Sequence, residues 1–205
     1  MKKGLITILL CVIVSLAVAS QLVISKPMVF IKDDLLVTSF KIQSLLGQKE
    51  IKTIKSGFTT TIKIKVELWK KGILFHDLKV TKEVIKNISY DIWEKIYTLK
   101  IDKKLKFDNL KNLEEILAQE ETVLISPLKE LDGKKKYFVR VKVDVESINE
   151  KEMQEISSRI NRYSPGLINI KEIFAILVKH RTKDITSYVQ SEDFRPDNNV
   201  ESKEK

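Results

Sequence analysis

Between Ile62 and Leu68 every second residue is a large aliphatic one, Ile62, Ile64, Val66 and Leu68, and the residues between them are Lys63, Lys65 and Glu67. A period of two puts the aliphatic set on one face of a β-strand and the charged set on the other. Extended in both directions, the strand runs from Phe58 to Lys70, with Phe58 and Thr60 joining the buried row and Thr59, Thr61 and Trp69 the outer one. Such a strand needs a sheet around it and a second layer over its apolar face, which restricts the chain to layered β architectures.

A second segment, YFVRVKVDVES, has the same form. Tyr137, Val139, Val141, Val143 and Val145 fall on one face, and Phe138, Arg140, Lys142, Asp144 and Glu146 on the other. The charge order suggests an antiparallel pairing with Lys63 opposite Glu146, Lys65 opposite Asp144, Glu67 opposite Lys142 and Trp69 opposite Arg140. A parallel arrangement sets like charges together. Exposed pairs contribute only about 0–1 kcal/mol each, so they select register more than they stabilise.

The remaining chain reads as short elements. Met28 to Ile42 suggests two β runs around Lys32-Asp33-Asp34, and LLGQKEIKTIKSG a helix ended by Gly57. After a turn at Lys71-Gly72, Ile73 to Val80 reads as a strand pairing back. Glu83 to Ile101 reads as a long β segment with a bulge or bend near Tyr90-Asp91. Asp108 is placed to cap a helix through about Gln119, with Leu110, Leu113, Ile116 and Leu117 on one face. The Asp132-Gly133 step predicts a hairpin joining Thr122–Leu128 to Lys136–Ile148. Beyond Asn149 the pattern becomes helical, broken at Ser164-Pro165-Gly166. The stripe Leu167, Ile170, Phe174, Leu177 and Val178, flanked by Lys171, Lys179 and Arg181, suits packing on a sheet, with a membrane interface as the alternative.

The N-terminus begins with Lys2-Lys3, continues as an uncharged apolar run to Val18 and carries the small-residue sequence Ala17-Val18-Ala19. This is the form of an export signal cleaved after Ala19. An uncleaved membrane anchor reaching about residue 25 is the alternative, since no charge follows until Lys26. Both readings put the body outside the cytoplasm, in the periplasm or anchored to the inner membrane. The only cysteine, Cys11, lies inside the apolar run, so the remainder has neither a disulfide framework nor a thiolate site. Without residues 1–19 the chain holds 35 basic and 28 acidic residues, a formal +7, with only five arginines. Lysines interspersed with acids make a solvated surface with some attraction to anionic headgroups, and nucleic acid is not an expected partner.

The inventory for catalysis is thin. Ser56-Gly57 precedes a strand, whereas a nucleophile elbow stands between a strand and a helix. His76-Asp77 is the nearest approach to a hydrolytic pair, but neighbours on a strand point to opposite faces. His180 sits between Lys179 and Arg181 at a helix end, and Tyr90-Asp91 and Glu114-Glu115 read as a strand feature and a solvated helix face. No metal constellation, cofactor loop or catalytic set is expected.

The order of features is informative in itself. An apolar leader is followed by SGF running into TTTIKIKVELW, then ISYDIW, IYTL, NLEEIL, PLKEL and finally YFVRVKVDVESI. This succession, over roughly Val29 to Ile148, resembles the uncharacterised bacterial exported proteins grouped as domain of unknown function 4390. The resemblance implies export and a β-rich body and brings no activity, ligand or catalytic residue with it.

The expected fold is mainly β with an α+β margin: an antiparallel sandwich or partly closed barrel with two or three helices, including a C-terminal helical segment. The expected organisation is a signal peptide at 1–19, a single β-rich domain at 28–195 with a helical part at 150–183, and a disordered polar tail at 197–205. The expected role is that of a non-catalytic envelope protein with a binding surface at Trp69, Lys70, Lys71 and Arg140. Its partner would be an envelope protein or lipid, including an anionic membrane surface. A carrier of lipid or a small apolar ligand is the alternative, and a hydrolase using His76 with a carboxylate the second.

Overall fold

The computed structural model describes residues 22–147, 185–197 and 201–202. The expected export signal, the expected helical part at 150–183 and His180 lie outside these residues. The protein is a mainly β structure of antiparallel sheets not closed into a barrel, with few helices. The chain runs through β1 (Val23–Ile24), β2 (Met28–Lys32), β3 (Leu35–Phe40), β4 (Ile42–Gln43), α1 (Gln48–Lys55), β5 (Thr60–Lys70) and β6 (Asp77–Asp91). It continues through β7 (Ile96–Lys100), β8 (Lys104–Phe107), α2 (Leu110–Leu117), β9 (Glu121–Pro127), β10 (Tyr137–Glu146), β11 (Ile185–Gln190) and β12 (Glu201–Ser202). Among the described residues no helix is long and apolar enough to cross a membrane.

Six strands form the larger sheet in the order β11-β10-β5-β6-β7-β8, all antiparallel. A smaller sheet has the order β12-β2-β3-β9, and β1 with β4 makes a two-stranded ribbon. Both sheets and both helices contribute to one core. Ile62, Ile64, Val66 and Leu68 of β5 and Val139, Val141 and Val143 of β10 are fully buried, packed with Leu36 and Phe40 of β3, Ile125 of β9, Ile54 of α1 and Leu113 of α2.

Several local expectations hold. Met28–Lys32 and Leu35–Phe40 pair around Asp33 and Asp34, both in the left-handed region at φ 50° and 58°. α1 stops at Ser56, and Gly57 takes φ 84° as the chain leaves the helix. Leu113 and Leu117 are the buried side chains of α2, whose cap is Asn109, one residue after the expected Asp108; its side-chain oxygen accepts from the Asn112 N–H at 2.9 Å. The expected disordered tail differs at Glu201 and Ser202, which pair in parallel with Phe30 and Ile31.

β5 and β10 are antiparallel neighbours as expected, but two residues away from the expected register. Lys63 faces Asp144, Lys65 faces Lys142, Glu67 faces Arg140 and Trp69 faces Phe138. Two of the four expected contacts survive as diagonals: Lys63 Nζ lies 2.6 Å from Glu146 Oε1, and Arg140 stacks over Trp69. The hydrogen bond to Glu146 holds the Lys63 pKa above its usual value. Lys142 relieves its like-charged cross-strand neighbour by pairing along its own strand with Asp144 at 3.0 Å.

The hairpin expected at Asp132-Gly133 does not form, because β9 belongs to the small sheet and β10 to the large one. The connection crosses between layers: a 3₁₀ turn at Leu128–Glu130 follows Pro127, and the Asp132 N–H donates to the Tyr137 hydroxyl at 3.1 Å. Gly133 is not in the left-handed region that a two-residue hairpin turn of this type requires.

The long segment from Glu83 to Ile101 is also resolved differently. β6 extends over 15 residues from Asp77, and the chain reverses at Ile92–Lys95 in a true turn. Asp91 makes that turn: its Oδ1 accepts from the N–H groups of Trp93 and Glu94, both at 2.9 Å, and Lys95 adopts φ 57°. The bulge lies elsewhere, where Leu68 faces Val80 and Trp69 faces Leu78, leaving Lys79 as the extra residue.

Of β6, only Asn87–Asp91 pairs with β7, so the first ten residues of β6 form a sheet edge among the described residues. Lys79, Lys82, Lys86 and the bulge are the features that discourage such an edge from recruiting another strand. β11 was not anticipated; its alternation, Ile185, Ser187, Val189 against Thr186, Tyr188, Gln190, follows the same period of two as β10 beside it.

One polar pair joins the layers. Lys86 of β6 is almost fully buried and forms an ion pair with Glu121 of β9. Removing one member strands the other charge at a cost of about 3–5 kcal/mol, whereas an apolar pair of similar volume is often neutral or better. E121A should therefore lower urea-unfolding stability by about 3 kcal/mol, and the double variant K86M/E121L should recover most of it. The Asp91 turn gives a second expectation. The N–H donors of Glu94 and Trp93 hold the Asp91 pKa below 3.8, so the turn's stabilisation is present above the unfolded value and is lost as pH falls through the folded one. In an NMR titration the Glu94 and Trp93 amide protons should shift with a midpoint below 3.8, the ordinary value.

Candidate binding surface

The outer face of the large sheet is polar along most of its area, as charged alternate residues require, but not where β5 ends and β10 begins. Phe138 lies on this face and is only 1% exposed. It is covered by its neighbours: the Trp69 ring stacks parallel to it with centroids 6.4 Å apart, and the His76 ring meets it edge-on at 5.2 Å. Because of the bulge, Leu78 pairs with Trp69 and joins this side.

Arg140 lies among three rings. Its guanidinium carbon is 5.2 Å from the Trp69 centroid, 5.9 Å from Phe138 and 5.8 Å from Tyr188 of β11. Glu67 faces Arg140 across the ladder, yet accepts from the Trp69 indole N–H at 2.9 Å instead. Arg140 makes no ion pair among the described residues, and its Nε is buried without an acceptor. The cation is thus held by ring faces while its N–H edge has no carboxylate, an arrangement suited to a planar or phosphate anion.

Trp69 and Arg140 of the expected surface therefore come together, and the two lysines separate from them. Lys70 belongs to the inner row, where it faces Tyr137 and lines a groove with Lys79, Val80, Glu130 and Asp132. Lys71 pairs with Asp193 through its ammonium and donates its backbone N–H to the Lys136 carbonyl at 2.8 Å. Phe138 was visible in the alternation but not singled out, and Tyr188 was missed along with β11.

The segment Ile73–His76, expected to begin a strand, is a loop. At its tip Ile73, Leu74 and Phe75 are exposed to 103%, 85% and 85%. A run of three large apolar residues straight after a glycine was the available signal. A second apolar tip, with Trp93 at 93% exposure, stands at the other end of β6.

The hydrolytic candidates are engaged elsewhere. The Ser56 hydroxyl donates to the Lys52 carbonyl at 3.0 Å, as a helix-ending residue. The His76 ring packs on Phe138, and its neighbour Asp77 pairs with Lys79, which holds the Asp77 carboxyl below its usual range. Tyr90 packs against Tyr97 at 4.6 Å, and Glu115 pairs loosely with Lys111 at 3.9 Å. No group of three metal-ligating side chains occurs among the described residues.

Core side chains of the two sheets pack against each other, leaving at one end the groove of about 280 Å³ beside Lys70, Ser126 and Tyr137. Other grooves open at the surface: one of about 520 Å³ on the outer face is lined by Thr61, Asn87, Ser89, Thr98 and Lys100, and one of about 260 Å³ lies between Ile42, Leu45, Leu46 and Leu117. The first is polar. The second is smaller than the ~300–1,000 Å³ usual for a ligand site.

Residues 19–148 match the sequence model of the family described as Domain of unknown function (DUF4390). The chain belongs to this family. No curated protein and no solved structure matches it. In DUF4390 terms, Trp69, Phe138 and Arg140 lie within the matched segment, while Tyr188 and Asp193 come from beyond it.

The surface divides into a packed ring and a less committed cation. F138A should cost about 3 kcal/mol in urea unfolding despite lying on the outer face, since it removes a fully buried aromatic ring. R140A should cost about 1–2 kcal/mol, as a half-buried cation–π contact does. A loss of several kcal/mol in R140A would mark the arginine as structural.

Proposed function

We propose that this DUF4390 chain is an exported, non-catalytic envelope protein that acts through a binding surface at the Trp69–Arg140 end of its large sheet, against an envelope protein or lipid. The observation that carries this reading is Arg140, set on the faces of Trp69, Phe138 and Tyr188 with no ion pair among the described residues. Arginine held in this way offers N–H donors to an anion at little further entropic cost.

Export is supported by the N-terminal Lys2-Lys3, the apolar run and Ala17-Val18-Ala19. A non-catalytic role is supported by the engagement of Ser56 in a helix end and of His76 on Phe138. The carrier reading is less favoured, since among the described residues the aliphatic side chains of the two sheets pack into one core.

The test is a photo-crosslinking residue placed at Tyr188 in cells, compared with one at Ser89 on the same outer face. The reading expects an adduct at 188 and little at 89. Equal adducts, or none at 188, would sink it.

A further inference from the structure

Ile73, Leu74 and Phe75 stand in water at the end of the β5–β6 hairpin, which is an unfavourable place for three adjacent apolar side chains. The loop that carries them is tied at its base. Lys71 donates its N–H to Lys136 and its ammonium to Asp193, and His76 packs on Phe138. At Gly72 the chain passes so close to the Phe75 carbonyl oxygen that a Cβ would sit 2.0 Å from it. The tip is therefore a fixed apolar wedge.

Cations outnumber acids around the wedge, where Asp77 is paired with Lys79 and Asp193 with Lys71. The Lys71–Lys136 bond brings Lys134, Lys135 and Lys136 beside it, all exposed, and with Lys70 they make no ion pair among the described residues. Trp69 lies just behind, an amphipathic ring of the kind that settles at headgroup level. The Trp93 tip differs in having Asp91 and Glu94 on either side of it, with Lys95 and Lys106 balancing them.

We propose that residues 73–75 insert into the interfacial layer of an anionic lipid bilayer, with Lys134, Lys135, Lys136 and Arg140 against the headgroup phosphates. Apolar side chains ringed by uncommitted lysines match a bilayer surface in both polarity and charge. This rests on the binding-surface reading and names its partner.

The test uses the exported chain as purified from the envelope, carrying C11S and either L74C or W93C labelled with an environment-sensitive nitrobenzoxadiazole dye. Mixed with vesicles of phosphatidylglycerol and phosphatidylcholine, the label at 74 should shift its emission to the blue and brighten severalfold, and the label at 93 should not. Pure phosphatidylcholine, 0.5 M salt or alanine at all three lysines should weaken the response by about fivefold or more. An unshifted label at 74, an equal response at 93, or equal insertion into neutral vesicles would overturn the proposal. If that happens while Tyr188 still crosslinks to a protein, the lipid assignment fails and the binding surface stands; loss of both removes the surface as well.

Discussion

The inner faces of β5 and β10 form a continuous aliphatic slab, and no water reaches Ile62, Ile64, Val66, Leu68, Val139, Val141 or Val143. Keeping that slab dry requires cover, which the smaller sheet supplies through Leu36, Phe40 and Ile125, and the helices through Ile54 and Leu113. Lys86 and Glu121 make a charged link across the interior, a device that favours one relative placement of the layers more than it adds stability. The strands outrun their cover. β6 is exposed along most of its first half, so the β5–β6 hairpin projects beyond the core and presents its loop to the surroundings.

Much of this architecture was readable because period-two alternation is a strong signal. What alternation leaves undetermined is translation along the strand. Sliding β10 by two residues against β5 keeps every valine on the inner face, so the choice fell to the outer face, where exposed charges contribute little. The observed register tolerates Lys65 opposite Lys142 and sets Trp69 against Phe138, so aromatic stacking outweighs one repulsive pair. The Asp132-Gly133 step misled for a related reason: a turn signal says that the chain bends, not which sheet it bends into. The bend expected near Tyr90-Asp91 was placed correctly but its sharpness was not, since Ile92 and Trp93 read as strand residues while the Asp91 carboxylate assembles a full turn.

The candidate surface was half visible. Trp69 and Arg140 could be expected to meet, and they do so diagonally. Tyr188 depended on finding β11, a strand that reaches β10 only after a long excursion of the chain. The apolar tip was overlooked because Ile73, Leu74 and Phe75 have the composition of a buried strand. Only the structure distinguishes an apolar run that is buried from one that is presented.

The length of β6 has a consequence for how the molecule can meet a boundary. At about 3.3 Å per residue, its 15 residues separate the Ile73–Phe75 loop from Trp93 by on the order of 45 Å. A single flat interface can reach both only if the strand lies along it; with the strand upright, one tip touches and the other is carried well clear. The protein therefore has two poles, and contact at the first fixes how far from the surface anything gathered at the second is held.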